Sequence, residues 1–133
     1  MEAIKVESDL SEINKIRAYL KRNLNTLSIT EKDYYSIELS LLEICINIIR
    51  YAYPNEKGEI RVRTWNEPGK IILEVSDDGI PFDPRKTDDP DLEEMISGGK
   101  KGGMGIFLAR KLMDGFDYRR KNGKNVVTLV KRI

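Results

Sequence analysis

Apolar residues are laid along the chain in blocks whose period switches several times. Ile4 and Val6 alternate with polar neighbours, which predicts a short strand over residues 3 to 7. Ser8 or Asp9 then reads as a helix cap, and Leu10, Ile13, Ile16, Leu20 and Leu24 recur at helical spacing, so a helix runs to about residue 24. Thr30-Glu31-Lys32-Asp33 opens a second helix, with Thr30 at the cap and acids in the first turn. Tyr34, Ile37, Leu41, Cys45, Ile48 and Ala52 form one stripe of it, and Pro54 and Gly58 end it. Strands are predicted at about 59 to 66 and 70 to 76, joined by the turn Asn66-Glu67-Pro68-Gly69.

From Asp77 to Gly103 the pattern has no clear period and carries Pro81, Pro84 and Pro90. A loop of that length in a compact domain is often a functional lid. Ile106, Leu108, Ala109, Leu112 and Met113 predict a third helix. Residues 116 to 121 and 125 to 132 then pair across Lys121-Asn122-Gly123-Lys124, where Asn-Gly is a strong hairpin signal. The order β-α-α-β-β-loop-α-β-β predicts an α+β two-layer sandwich: a mainly antiparallel, mixed sheet with three helices on one face.

Composition narrows the function classes more than it names one. The 133 residues, 40% apolar and 34% charged, suit a single domain over residues 1–133 with one core. With 23 basic and 22 acidic side chains the net charge is +1, so nothing electrostatic favours nucleic acid or an anionic membrane. No histidine is present, which excludes a Ser-His-Asp triad, a Cys-His pair, a His-ligated metal and a phosphorylated histidine within this chain. The single cysteine, Cys45, excludes an intrachain disulfide and reads as a buried small hydrophobe. No stretch nears the roughly 20 apolar residues that span a bilayer, and Met1 to Val6 lack a signal-peptide apolar region, so a cytoplasmic location is expected.

Three places carry candidate chemistry. On the second helix Glu43 and Asn47 are four apart and share a face, with Arg50 nearly a turn on. A solvated face is the plainer reading of that spacing, yet Ile44, Ile46 and Ile49 make the helix apolar nearly all round, which suggests a second covered face. An Asn oxygen suits Mg²⁺ beside phosphates, and a carboxylate one turn away could deprotonate a hydroxyl. Next, period two along Ile71, Leu73, Val75 and Asp77 carries Asp77 inward, where it needs a partner. Gly79 then permits a tight turn or a close backbone approach, and a strand-ending Asp-Gly turn is the bland alternative. Last, Gly102-Gly103-Met104-Gly105 precedes the third helix, where backbone N–H groups can cradle phosphate, with Lys100 and Lys101 adding charge. A flexible connector explains that run equally, and it is neither a Walker A motif nor a dinucleotide fingerprint.

In order and spacing, these places resemble the motifs of the GHKL ATPase superfamily, whose members include the ATP-binding domains of histidine kinases, type II topoisomerases and mismatch-repair ATPases. Glu43 to Asn47 resembles the N-box, Asp77 to Pro81 the G1 box, and Gly103-Met104-Gly105 the G2 box, over roughly residues 5 to 132. The short length and the segment Gly105 to Asp114 are most similar to the stand-alone bacterial anti-sigma factor serine kinases. The resemblance implies a Bergerat ATP-binding fold with an ATP lid at about 80 to 103. It implies ATP and Mg²⁺, with Asn47 holding the metal, Glu43 as general base and Asp77 binding the adenine amine directly and through water. Gly79, Gly103, Met104 and Gly105 would shape the pocket, and Arg50 or the lid lysines Lys100 and Lys101 would meet phosphates. The implied partners are a sigma factor and an anti-anti-sigma (STAS-type) protein, and homodimers are typical of the family. The chain departs from the pattern in three places. Pro81 stands for the second G1 glycine, so that turn must differ or be stiffer. Tyr51 stands where a histidine often follows the N-box, and the lid carries lysines where such kinases often carry an arginine.

Three functions follow. The first is an enzyme that phosphorylates a serine of a partner. The second is a non-catalytic module whose bound ATP or ADP controls partner affinity. The third is a detached histidine kinase domain, which would need a separate substrate protein.

Overall fold

The computed structural model describes residues 3–86 and 104–133, with the backbone alone described at Lys86 and Met104. Five strands form one sheet: β1 (Ala3–Glu7), β2 (Glu59–Glu67), β3 (Lys70–Asp77), β4 (Gly115–Lys121) and β5 (Lys124–Arg132), in the order β1-β2-β3-β5-β4. Among the described residues three α-helices accompany them: α1 (Ile13–Leu24), α2 (Glu31–Tyr51) and α3 (Met104–Leu112). Short 3₁₀ turns occupy Leu10–Glu12 and Pro84–Lys86.

Among the described residues the predicted elements and their order hold, with one correction; most of the predicted lid, at 87–103, lies outside them. The sheet is not mixed: every described pairing is antiparallel. The connection from β1 to β2 explains the first pair. Two helices return the chain to the end of the sheet it left, so β2 must run back against β1.

Local chemistry sets the element ends. The Asp9 side chain accepts from the Ser11 amide and caps the first 3₁₀ turn. Thr30 Oγ1 accepts from the Asp33 amide at 3.1 Å and caps α2. Asn122 and Gly123 both take positive φ, 53° and 74°, as the two central residues of the β4–β5 turn require.

Packing follows the stripes. Ile37, Leu41, Ile44, Cys45 and Ile48 of α2 and Ile16, Leu20 and Leu24 of α1 join Ile60, Val62, Ile71, Leu73, Val75, Val127 and Leu129 of the sheet in one core. Each such buried side chain contributes about 1.5–3 kcal/mol before conformational entropy is charged against it. The opposite sheet face carries Arg61, Arg63 and Trp65 of β2 and Glu74 and Ser76 of β3. Among the described residues no helix is long and apolar enough to cross a membrane.

Candidate functional site

The face of α2 that carries Glu43 and Asn47 is not a solvated surface. Both residues are half-buried. Asn47 opens into a narrow cleft walled by Ile44, Ile48 and Tyr51 of the same helix, Asp77 at the end of β3, and Asn125 and Val127 of β5. Phe82 and Pro84 close its other side. The Tyr51 and Phe82 rings lie 6.2 Å apart, inclined by 25°. Among the described residues the Asn47 amide has no hydrogen-bond partner, so its oxygen is free to meet a ligand. The apolar flanks of α2 made this covered face necessary: one side packs on the sheet, the other on α3 and the cleft.

Glu43 lies one turn before Asn47, outside the cleft wall, and reaches the start of α3. A Cβ at Gly105 would lie 1.9 Å from Glu43 Oε2, so the carboxylate rests in the space that the glycine leaves. The first and third candidate segments thus touch.

Asp77 follows the apolar set inward, as its period requires, and is 2% exposed. One oxygen is saturated: Oδ1 accepts from the Gly79 amide at 2.8 Å and from Asn125 Nδ2 at 2.9 Å. Burial raises its pKa above the ordinary carboxylate value, assisted by nearby Asp78. The two hydrogen bonds and the charge of Arg120 oppose that rise.

The turn after Asp77 is held on four sides. Ile80 N donates to the Ala52 carbonyl at the end of α2 at 2.9 Å. Arg120 donates to the Gly79 carbonyl at 2.8 Å. Tyr53 Oη accepts from the Asp78 amide at 2.7 Å and donates to the Glu59 carbonyl at 2.6 Å. Asn125 Nδ2 donates to the Ile80 carbonyl at 2.8 Å. Gly79 is required by a close approach, since a Cβ there would sit 2.4 Å from the Ala52 carbonyl oxygen. The stiffer turn that Pro81 implies therefore has its anchors in tertiary contacts.

The structure brings together Glu43, Asn47, Asp77, Gly79 and Gly105. Arg50 is exposed on the last turn of α2 and does not line the cleft. Lys100, Lys101 and Gly103 lie outside the described residues, and Met104 is described only as the first residue of α3. Sequence reasoning missed Asn125 and Phe82. Asn125 had one available signal, since the Asn-Gly hairpin places it inward, two residues before Val127. The β3–β5 register that sets it opposite Asp77 is a tertiary matter.

Comparison with known proteins decides the family. A histidine kinase-like ATPase domain family matches residues 6–131, nearly the whole chain. The chain belongs to that family. Curated relatives of this histidine kinase-like ATPase domain include the serine-protein kinase RsbW of Bacillus thuringiensis and that of Bacillus cereus. Each is 23% identical over 128 residues, 93% of this chain and 80% of the relative. Solved structures share the fold. The RsbU and RsbW domains of a Mycobacterium tuberculosis protein match with a TM-score of 0.65 at 14% identity, over 99% of this chain and 32% of that one. The SiaB–SiaC complex of Pseudomonas aeruginosa matches with a TM-score of 0.61 at 14% identity, over 100% and 90%.

The cleft suits the nucleotide that an ATPase domain of this family takes. Apolar walls and two aromatic rings can cover a planar base, and Asp77 keeps one acceptor oxygen for an amine. Among the described residues no group of three or more His, Cys, Asp or Glu could hold a metal. A cation here would depend on few protein ligands and on phosphate oxygens, which is how Mg²⁺ is commonly held.

Proposed function

We propose that this domain is an ATP-dependent serine protein kinase and anti-sigma factor. It binds a sigma factor and phosphorylates a serine on an anti-anti-sigma (STAS-type) partner. The observation that carries the reading is the placement of Glu43. Its carboxylate lies against Gly105 at the start of α3, one helical turn from Asn47 in the cleft that Asp77 closes. The relatives named serine-protein kinase support the kinase assignment at the level of family.

Bound ATP supplies the phosphoryl group, and Mg²⁺ spreads its developing charge. The chain does the positioning. Asp77 accepts the adenine amine, and Asn47 offers its amide oxygen to the metal. Glu43 takes the proton of the partner's serine hydroxyl as the hydroxyl oxygen bonds to phosphorus and the bond to the leaving ADP breaks. Lys100, Lys101, Gly103, Met104 and Gly105 complete the phosphate end. The whole chain acts as one ATP-binding domain, with the lid at about 80 to 103.

The test is transfer of labelled γ-phosphate to the partner by wild type and by Glu43→Ala, with ATP affinity measured by calorimetry. Wild type should give acid-stable label on a serine. Glu43→Ala should lose transfer by about 10²–10⁴-fold and keep ATP binding. Equal loss of both would remove Glu43 as base. Nucleotide-dependent co-elution with a partner and no label would leave the non-catalytic module in its place, and acid-labile label would indicate a histidine on the partner.

A further inference from the structure

Asn125, opposite Asp77, is the most fully engaged polar side chain in the site. It is 4% exposed. Its Nδ2 donates to Asp77 Oδ1 at 2.9 Å and to the Ile80 carbonyl at 2.8 Å. Its Oδ1 accepts from Tyr118 Oη at 2.6 Å and from the Phe82 amide at 3.3 Å. The amide orientation has no ambiguity. The carboxylate and the carbonyl can only accept from Asn125, and the Phe82 amide can only donate to it. Both donors and both lone pairs are used, so Asn125 has nothing left to offer a ligand.

Its effect must therefore pass through what it holds. The antiparallel register sets Asp77 directly opposite Asn125, and Asn125 opposite Arg120. With the Gly79 amide also on Oδ1, the carboxylate cannot rotate without breaking two bonds. Oδ2 is left as the acceptor of this pair, on a residue that lines the cleft. The same amide ties the Ile80 carbonyl and the Phe82 amide, and so sets where the Phe82 wall stands.

We propose that Asn125 is a positioning residue that sets base specificity, holding Asp77 so that a fixed acceptor meets the exocyclic position of a purine. This rests on the nucleotide-binding reading above. An amine at that position satisfies Oδ2, and a carbonyl oxygen opposes it, acceptor against acceptor. Adenine is then favoured over hypoxanthine and guanine because the carboxylate cannot turn away.

The experiment measures ATP and ITP affinity by calorimetry on wild type, Asn125→Leu, Asn125→Asp and Tyr118→Phe, with folding checked by thermal unfolding. ITP differs from ATP at the position read, a carbonyl in place of the amine. Wild type should prefer ATP by about tenfold or more. Asn125→Leu removes both donors and should bring the ratio near one. Asn125→Asp keeps the shape and replaces the donor with an acceptor, so it should also collapse the ratio, and it serves where the leucine variant does not fold. Tyr118→Phe keeps the donors on Asp77 and should keep the ratio. If the Asn125 variants fold and bind both nucleotides more weakly by the same factor, Asn125 is scaffold alone and the proposal falls. A wild type that binds ATP and ITP equally overturns it while leaving nucleotide binding intact. A wild type that binds neither removes the underlying reading.

Discussion

Replacing Gly105 by alanine separates stability from activity, because the contact it creates is with the end of a flexible side chain. The new Cβ would lie 1.9 Å from Glu43 Oε2 and 2.6 Å from its Cδ. Normal contact is near 3.5 Å, so the carboxylate must withdraw by about 1.5 Å. Glu43 is half-buried and has no ion pair among the described residues that would hold it in place, so rotation about its own side-chain bonds absorbs the shift. Gly105 lies in the first turn of α3, where alanine improves helix propensity by about 0.5–1 kcal/mol. The two effects offset, and the urea-unfolding free energy should stay within about 1 kcal/mol of wild type. The backbone N–H at 105 is retained, so ATP affinity should change by less than about fivefold. Displacing a proposed general base by more than 1 Å should nevertheless cost about 10²-fold in phosphoryl transfer. The assays are urea unfolding, calorimetry with ATP, and transfer of labelled phosphate to the partner serine. Loss of more than about 2 kcal/mol of stability would show that Glu43 is rigidly packed. Full transfer activity would show that its position against Gly105 has no part in the chemistry.

Gly79→Ala should behave in the opposite way, because its Cβ would meet the Ala52 backbone oxygen at 2.4 Å and neither partner can rotate aside. A loss of about 1–3 kcal/mol, read as a lower urea midpoint, is expected. Asp77→Asn keeps the Oδ1 acceptor for Gly79 and Asn125 but presents an amide donor to the cleft. ATP affinity should fall by about 10–100-fold while ITP loses less, by calorimetry. The same variant tests the charge of Asp77. Its folded pKa is raised, so the ionised carboxylate costs stability, and that cost grows as pH rises from the ordinary carboxylate value through the raised one. The thermal midpoint of Asp77→Asn relative to wild type should therefore climb across that window and stay higher at neutral pH. Cys45 is fully buried, which pushes its thiol up to about 12, so it should resist alkylation at pH 8 in the native protein and react once unfolded, by mass spectrometry.

The sequence alone determined the elements, because their signals are local. Alternation over Ile71 to Asp77, the stripe from Ile37 to Ala52, the Thr30 cap and the Asn122-Gly123 turn each depend on neighbours a few residues apart. The same local period carried Asp77 inward and placed Glu43 and Asn47 on one face, so half of the site was legible before any fold was known. What a face meets is not a local property. The spacing of Glu43 and Asn47 fits a solvated surface as well as a cleft, and only the packing of α3 on α2 puts Gly105 beneath the Glu43 carboxylate. Arg50 shares the segment but lies beyond that packing, on the exposed last turn. Asn125 was invisible for the same reason. Its partner Asp77 is 48 residues away, and the bond exists because the β3–β5 register, set by the whole core, brings the two into one row.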